Sequence, residues 1–126
     1  MSSLESNQNN SLSPLLSVTN LVKSYGEGRR KVDVLKGVSF NVSYGEWISI
    51  MGPSGSGKTT LLNLIGLLDI QDEGQIIFEG VNILDFDSDE KAFFRSNKIG
   101  IVFQNHYLIP TMTLKENVEL PFVWNK

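Results

Sequence analysis

Residues 52–60 read Gly-Pro-Ser-Gly-Ser-Gly-Lys-Thr-Thr and fit the spacing G-x-x-x-x-G-K-[ST] at every position, which restricts the fold to one where a strand enters a tight turn and the turn opens a helix. Glycines at Gly52, Gly55 and Gly57 let the backbone turn without a Cβ clash, so that successive N–H groups converge on phosphate oxygens at a helix N-terminus. Lys58 adds a point charge for β- and γ-phosphates, and the Thr59 hydroxyl is a ligand for Mg²⁺. The whole run, Gly52, Pro53, Ser54, Gly55, Ser56, Gly57, Lys58, Thr59 and Thr60, is therefore the candidate site for a nucleoside triphosphate. The flanks have the required character: 47–51, Trp-Ile-Ser-Ile-Met, reads as a buried strand and 61–68, Leu-Leu-Asn-Leu-Ile-Gly-Leu-Leu, as a buried helix. A chance Gly/Ser turn is the competing reading, but the four fixed positions coincide in roughly one chain of this length in a few hundred.

A chain of 126 residues has room for one domain. Its net charge of -3 and pI near 5.1 provide no basic footprint, so nucleic acid is not an expected partner. Without cysteine there are no disulfides, thiolate metal sites or cysteine nucleophiles, which suits a reducing cytoplasm. The longest apolar stretch, 61–70, is about half a membrane span and is interrupted by Asn63 and Asp69. No basic residue followed by an apolar core marks a leader at the N-terminus, and a cytoplasmic location is expected.

Residues 1–14 are rich in Ser and Asn and predict a disordered tail, since too little apolar surface is present to offset the entropy of ordering. The remainder, 15–126, is expected to form one unit. Leu16, Val18 and Leu21-Val22 predict a first strand that ends at the turn Tyr25-Gly26-Glu27-Gly28, where Arg29-Arg30-Lys31 follows. Val38, Phe40 and Val42 alternate with Ser39, Asn41 and Ser43, the period of a half-buried antiparallel strand. After a polar turn over 69–74, residues 75–84 read as strand, Gly turn and short strand. Asp87 and Glu90 have the spacing of a capping box before a short helix with Phe93-Phe94 on its apolar face, ending near Asn97; Thr113 and Glu116 repeat that spacing before a helix limited by Pro121. The acidic run Asp85, Asp87, Asp89, Glu90 reads as a solvated helix start rather than a metal cluster. Residues 99–103 read as a short buried strand, with Gln104 directly after it. His106, the only histidine, is a loop residue.

Taken together, these features resemble the N-terminal half of the nucleotide-binding domain of an ATP-binding-cassette (ABC) transporter ATPase over residues 18–122. Three matches carry the likeness: the phosphate loop followed by Leu61-Leu62; Tyr25 ahead of Val34-Leu35-Lys36-Gly37-Val38-Ser39-Phe40; and Gln104 ending Ile101-Val102-Phe103-Gln104. Leu67-Leu68-Asp69, Leu108-Ile109-Pro110 and 116–121, Glu-Asn-Val-Glu-Leu-Pro, are similar to the subgroup that serves lipoprotein release, macrolide export and peptide-antibiotic resistance.

The resemblance implies a fold and a set of roles. The fold is α/β, a truncated P-loop NTPase core with an N-terminal antiparallel β subdomain. The cofactors are ATP and Mg²⁺. Tyr25 stacks on adenine, a role that calls for the ring face rather than the hydroxyl; read alone, it is equally a strand-end aromatic packed on the core. Gln104 contacts Mg²⁺ and the attacking water and senses the transmembrane partner; read alone, it is a solvated strand terminus. Lys58 and Gln104 are the catalytic candidates, Thr59 and Gln104 the metal candidates. The partners implied are a transmembrane permease subunit and a second nucleotide-binding subunit, with the protein peripheral on the cytoplasmic face of the cell membrane. Between the Q-loop glutamine and Lys126 there is no Leu-Ser-Gly-Gly-Gln signature, Walker B pair or switch histidine, so the 126-residue chain alone is expected to be inactive. Two alternatives stand beside an ABC ATPase: a nucleotide-binding fragment without catalysis, and a nucleoside monophosphate kinase, whose loop is similar but lies nearer the N-terminus.

Overall fold

The computed structural model describes residues 13–123, so all but the last two residues of the expected tail lie outside the described residues. Strands β1 (Leu16–Tyr25), β2 (Val32–Val42), β3 (Glu73–Phe78) and β4 (Val81–Asn82) form one sheet in the order β2-β1-β3-β4. Every pairing in it is antiparallel, as the alternation at Val38, Phe40 and Val42 requires. Val18 lies between Phe40 on one side and Ile76 on the other. Val18 and Ile76 are fully buried, and each such side chain contributes about 1.5 to 3 kcal/mol. β1 ends at Tyr25, where the turn is expected. The second strand outruns its expected limit and begins at Val32, because the turn between them is only a single 3₁₀ turn, Gly28–Arg30.

Among the described residues three α-helices accompany the sheet: α1 (Lys58–Ile65), α2 (Ser88–Lys98) and α3 (Leu114–Val123). Leu61 and Leu64 of α1 join Val18, Leu21, Leu35, Ile76, Ile83 and Phe94 of α2 in one core. The expected helix over 61–68 is thus displaced by three residues: it starts at Lys58 and stops at Gly66, whose N–H bonds back to Leu62. Leu61, Leu64 and Leu67 are buried, whereas Leu62 and Leu68 face outward.

Both capping boxes are formed. Asp87 Oδ1 accepts from the N–H groups of Asp89 and Glu90 at 2.9 Å, and Glu90 Oε2 accepts from the Asp87 N–H at 2.9 Å. Thr113 donates its N–H and hydroxyl to Glu116 at 2.7 and 2.8 Å, and these bonds, the backbone one first, hold the Glu116 carboxyl below its usual range. Asp87 and Glu90 are thus occupied with starting α2, and Asp85 accepts from the Asn82 amide at 2.9 Å; among the described residues no three His, Cys, Asp or Glu side chains are grouped to hold a metal ion. Of the two phenylalanines on α2, Phe94 is buried against the edge of Phe78, ring centroids 5.0 Å apart, while Phe93 is exposed.

Four readings need correction. The strand expected over 81–84 is limited to β4; Ile83–Asp85 is a 3₁₀ turn, entered through the Asn82 side chain accepting from the Leu84 N–H. α3 is not stopped by Pro121 and is helical as far as the described residues reach, to Val123. The two buried strands expected over 47–51 and 99–103 are not strands and are mostly exposed: both are unpaired backbone, with Trp47 98%, Met51 87% and Val102 99% exposed, and only Ile50 and Ile99 pack partly against the core. An apolar run identifies side chains that seek burial on both faces, but a strand exists only where a neighbour shares its N–H and C=O groups, and no described residue does so here.

Candidate nucleotide site

The phosphate loop closes on itself through short-range contacts. Ser56 N–H donates to the Pro53 carbonyl at 3.2 Å. Gly57, the N-cap of α1, sits at φ 96°, ψ 6°, a left-handed conformation that costs any residue with a Cβ. A Cβ there would also lie 2.9 Å from Leu35 Cδ2 and 3.0 Å from Val34 Cγ1. Gly57 thus lets the start of α1 abut β2. Gly52 serves differently from what the turn argument assumes: its φ is not in the left-handed region, but a Cβ on it would lie 2.6 Å from Ser56 Oγ, so it provides room rather than a turn.

The N-terminus of α1 has no side-chain cap, and the first intrahelical bond is Leu61 N–H to the Gly57 carbonyl at 2.9 Å. The amides of Lys58, Thr59 and Thr60 precede that bond and carry the positive end of the helix dipole. Lys58 Nζ adds a full charge, held by the carbonyls of Gly52 and Pro53 at 2.7 and 2.8 Å and by Ser56 Oγ at 3.3 Å.

A cavity of about 540 Å³ opens over this helix end. It is lined by Ser54, Gly55, Gly57, Lys58, Thr59 and Thr60 of the loop and helix start, by Val34 of β2 and by Gln104. The structure therefore brings the loop and Gln104 together across 44 residues of chain. Gln104 reaches this position because 99–103 runs beside α1: Ile101 Cδ1 lies 3.1 Å from where a Cβ on Gly66 would be, and Thr59 and Gln104 share a second groove with Leu62, Ile101 and Phe103. The loop that follows is tied to α3 by Asn117, whose side chain accepts from the Ile109 N–H at 2.7 Å and donates to the carbonyls of Ile109, Met112 and Thr113.

Tyr25 does not line the cavity, nor do Gly52, Pro53 and Ser56, which shape the loop and hold Lys58. Tyr25 is 41% exposed, and its hydroxyl donates to Asp69 Oδ2 at 2.6 Å. That bond is the first cause of an Asp69 carboxyl held below its usual range, with the Ile70 N–H and the nearby Lys23 charge adding to it. Sequence reasoning missed Val34 and the Asp69 contact. Val34 carried no chemical signal, and the Asp69 contact spans 44 positions.

The donor set suits a polyphosphate with a hard cation. Backbone amides at a helix end and one ammonium match phosphate oxygens, and the Thr59 hydroxyl and Gln104 amide oxygen are ligands of the class Mg²⁺ takes. A groove of similar size, about 560 Å³, lies between the β3–β4 hairpin and α2, but Phe78, Ile83, Phe86 and Phe94 make its wall largely apolar, Glu79, Asp89 and Glu90 make its charged part acidic, and its one ammonium, Lys98, is paired with Glu79 at 2.9 Å.

The family profile for ABC transporters matches residues 35–126. An ABC transporter ATP-binding protein of Methanocaldococcus jannaschii, MJ0796, is 46% identical over 110 residues, which are 87% of this chain and 47% of that protein. The macrolide export ATP-binding/permease protein MacB of Marinobacter nauticus is 45% identical over 111 residues, 88% of this chain and 17% of that protein. Among solved structures, the dimeric post-hydrolysis state of the ATP-binding cassette MJ0796 bound to ADP and Pi superposes with a TM-score of 0.81 at 45% identity, covering 88% of this chain and 48% of that one. The chain spans about half the length of the single-cassette relative and about a sixth of the export ATP-binding/permease protein.

Proposed function

The chain belongs to the ABC transporter family, and from that membership we propose that it is the ATP-binding part of an exporter, holding MgATP at the cavity over α1. The observation that carries this reading is the convergence of Lys58, Thr59 and Gln104 on one cavity. Lys58 and the amides of 58–60 bind the β- and γ-phosphates. Thr59 and Gln104 are the residues that would hold Mg²⁺, and the cation when bound neutralises charge developing on the transferred phosphoryl group. Gln104, which lines the same cavity, orients water toward the γ-phosphate, and Tyr25 supports the base.

None of the residues lining the cavity is a carboxylate or a histidine. The described site therefore binds and orients but holds no general base, and turnover needs one from outside these residues. The 126-residue chain by itself, with residues 15–126 as its folded unit, binds nucleotide without hydrolysing it. In the complete assembly a permease subunit and a second cassette complete the machinery at the cytoplasmic face of the membrane. The dimeric relative and the export ATP-binding/permease relative support that arrangement. No helix among the described residues is long and apolar enough to cross a membrane. A nucleoside monophosphate kinase is disfavoured because two strands and Tyr25 precede the loop and Gln104 has no role there.

Titrating MgATP and MgGTP against the full-length protein and then assaying phosphate release tests the reading. MgATP binding with phosphate release is the expected result. Phosphoryl transfer to a nucleoside monophosphate, or no nucleotide binding, would overturn it.

A further inference from the structure

Tyr25 is held more firmly than a half-exposed aromatic at a strand end needs to be. The phenol is fixed at its tip by Asp69, 2.6 Å away. Lys23 Nζ stands over the ring, 4.9 Å from its centroid, and the same ammonium is anchored by the Ile70 carbonyl at 2.5 Å and by Asp69 Oδ1 at 3.4 Å. Asp72 holds the backbone between them, accepting from the Ser24 N–H at 2.7 Å. The end of β1 is thus clamped to the loop that follows α1, with a cation on one ring face and a carboxylate on the hydroxyl. Tyr25 is not part of the apolar core, so this clamp is not a by-product of core packing.

The ring is also in reach of the cavity. Tyr25 pairs with Val32 across the β1–β2 ladder, and Val34, two residues along β2, lines the cavity. With about 3.3 Å per residue and about 4.8 Å between strands, the Tyr25 Cα lies roughly 8 Å from that wall, within the span of a nucleoside.

We propose that Asp69 and Lys23 are positioning residues that fix the plane of the Tyr25 ring so that its free face receives the nucleotide base. The inference rests on the nucleotide-binding reading above. Lys23 occupies one face, so a flat base has a single face to stack on, and Asp69 stops the ring turning about its bond to Cβ. The hydroxyl, which stacking alone does not require, thereby gains a purpose.

Equilibrium binding of MgATP and of inorganic tripolyphosphate to the full-length protein separates the base from the phosphates. Asp69→Ala and Tyr25→Phe should each weaken MgATP about three- to tenfold, less than the full worth of a charge-assisted hydrogen bond because the bond supports the ring and does not touch the ligand, and leave tripolyphosphate unchanged. The double variant should be no weaker than the worse single variant, and Asp69→Asn, whose amide oxygen still accepts from the phenol, should recover most of the loss. Lys58→Ala should weaken both ligands. Unchanged MgATP affinity in Asp69→Ala, equal losses for both ligands, or additive losses in the double variant would overturn the inference while leaving the nucleotide reading in place. A wild-type protein that binds neither ligand would overturn the nucleotide reading itself, and the inference with it.

Discussion

Lys58 Nζ lies 2.7 Å from the carbonyl oxygen of Gly52, so the charge at the start of α1 is held by the first residue of the same loop. The contact is local to the loop, and Lys58 is not in the core. Replacing it by alanine should therefore leave the melting temperature of the full-length protein nearly unchanged while removing a charge-assisted bond of about 1.5 to 3 kcal/mol, roughly ten- to hundredfold in MgATP affinity. Calorimetric titration checks the affinity and a thermal melt checks the fold. Wild-type binding in the Lys58→Ala protein would end the assignment of this loop.

Gly57 and Gly55 offer a matched pair. Both have positive φ, 96° and 79°, yet only Gly57 has neighbours in the path of a Cβ, Leu35 and Val34. Gly55→Ala should cost conformational strain alone, about 1 kcal/mol. Gly57→Ala adds the displacement of Leu35 from the core and of Val34 from the cavity wall. It should lower stability by about 2 to 4 kcal/mol in total and weaken nucleotide binding as well. Denaturant titration of the two variants compares them directly, and equal losses would show that the contact with β2 is unimportant.

The parts of the fold that were legible in the sequence are those decided by neighbours along the chain. Asp87 with Glu90 and Thr113 with Glu116 announced two helix starts because a cap is made within one turn. Val38, Phe40 and Val42 announced a strand because alternation is a local property. The loop at 52–60 announced the turn that opens α1 at Lys58. What was not legible depends on groups far apart or absent from the described residues. The bond from Tyr25 to Asp69 has no local signature. The runs 47–51 and 99–103 show which side chains seek burial but not whether a neighbouring strand is there to bury them.

The Asp69 carboxyl is held below its ordinary value of 3.8, first by the Tyr25 hydroxyl, which ties this contact to pH. A depressed pKa in the folded state means that the unfolded chain takes up the proton first as acid is added. The stabilisation is therefore fully present above the unfolded value and is lost as pH falls from about 4 through the lowered folded value. Asp69→Asn does not titrate and should flatten that part of the stability profile. Thermal melts of both proteins between pH 7 and pH 3 check this: the difference between them should shrink at the acid end, and a difference independent of pH would exclude the Asp69 carboxylate as its source.

The exposed runs at 47–51 and 99–103 make the last prediction, for residues 1–126 on their own. Trp47, Met51 and Val102 stand almost wholly in solvent, and Ile48, Ile101 and Phe103 are also exposed. Each side chain of this kind would gain about 1.5 to 3 kcal/mol from burial, and the backbone beside them offers N–H and C=O groups that no described strand takes up. Unpaired apolar backbone of this sort adds to other chains or collapses loosely. A domain is stable by only about 5 to 15 kcal/mol, so forgoing several such burials removes a large share of that margin. The purified 126-residue chain should give a broad, weakly cooperative melt and aggregate with rising concentration. With Trp124 replaced by Phe, the fluorescence of Trp47 should be red-shifted and readily quenched by iodide, and phosphate release should stay at background because no carboxylate lines the cavity. A sharp two-state transition with Trp47 shielded from iodide would mean that the chain buries these runs by itself, and measurable MgATP turnover would mean that it also supplies its own base.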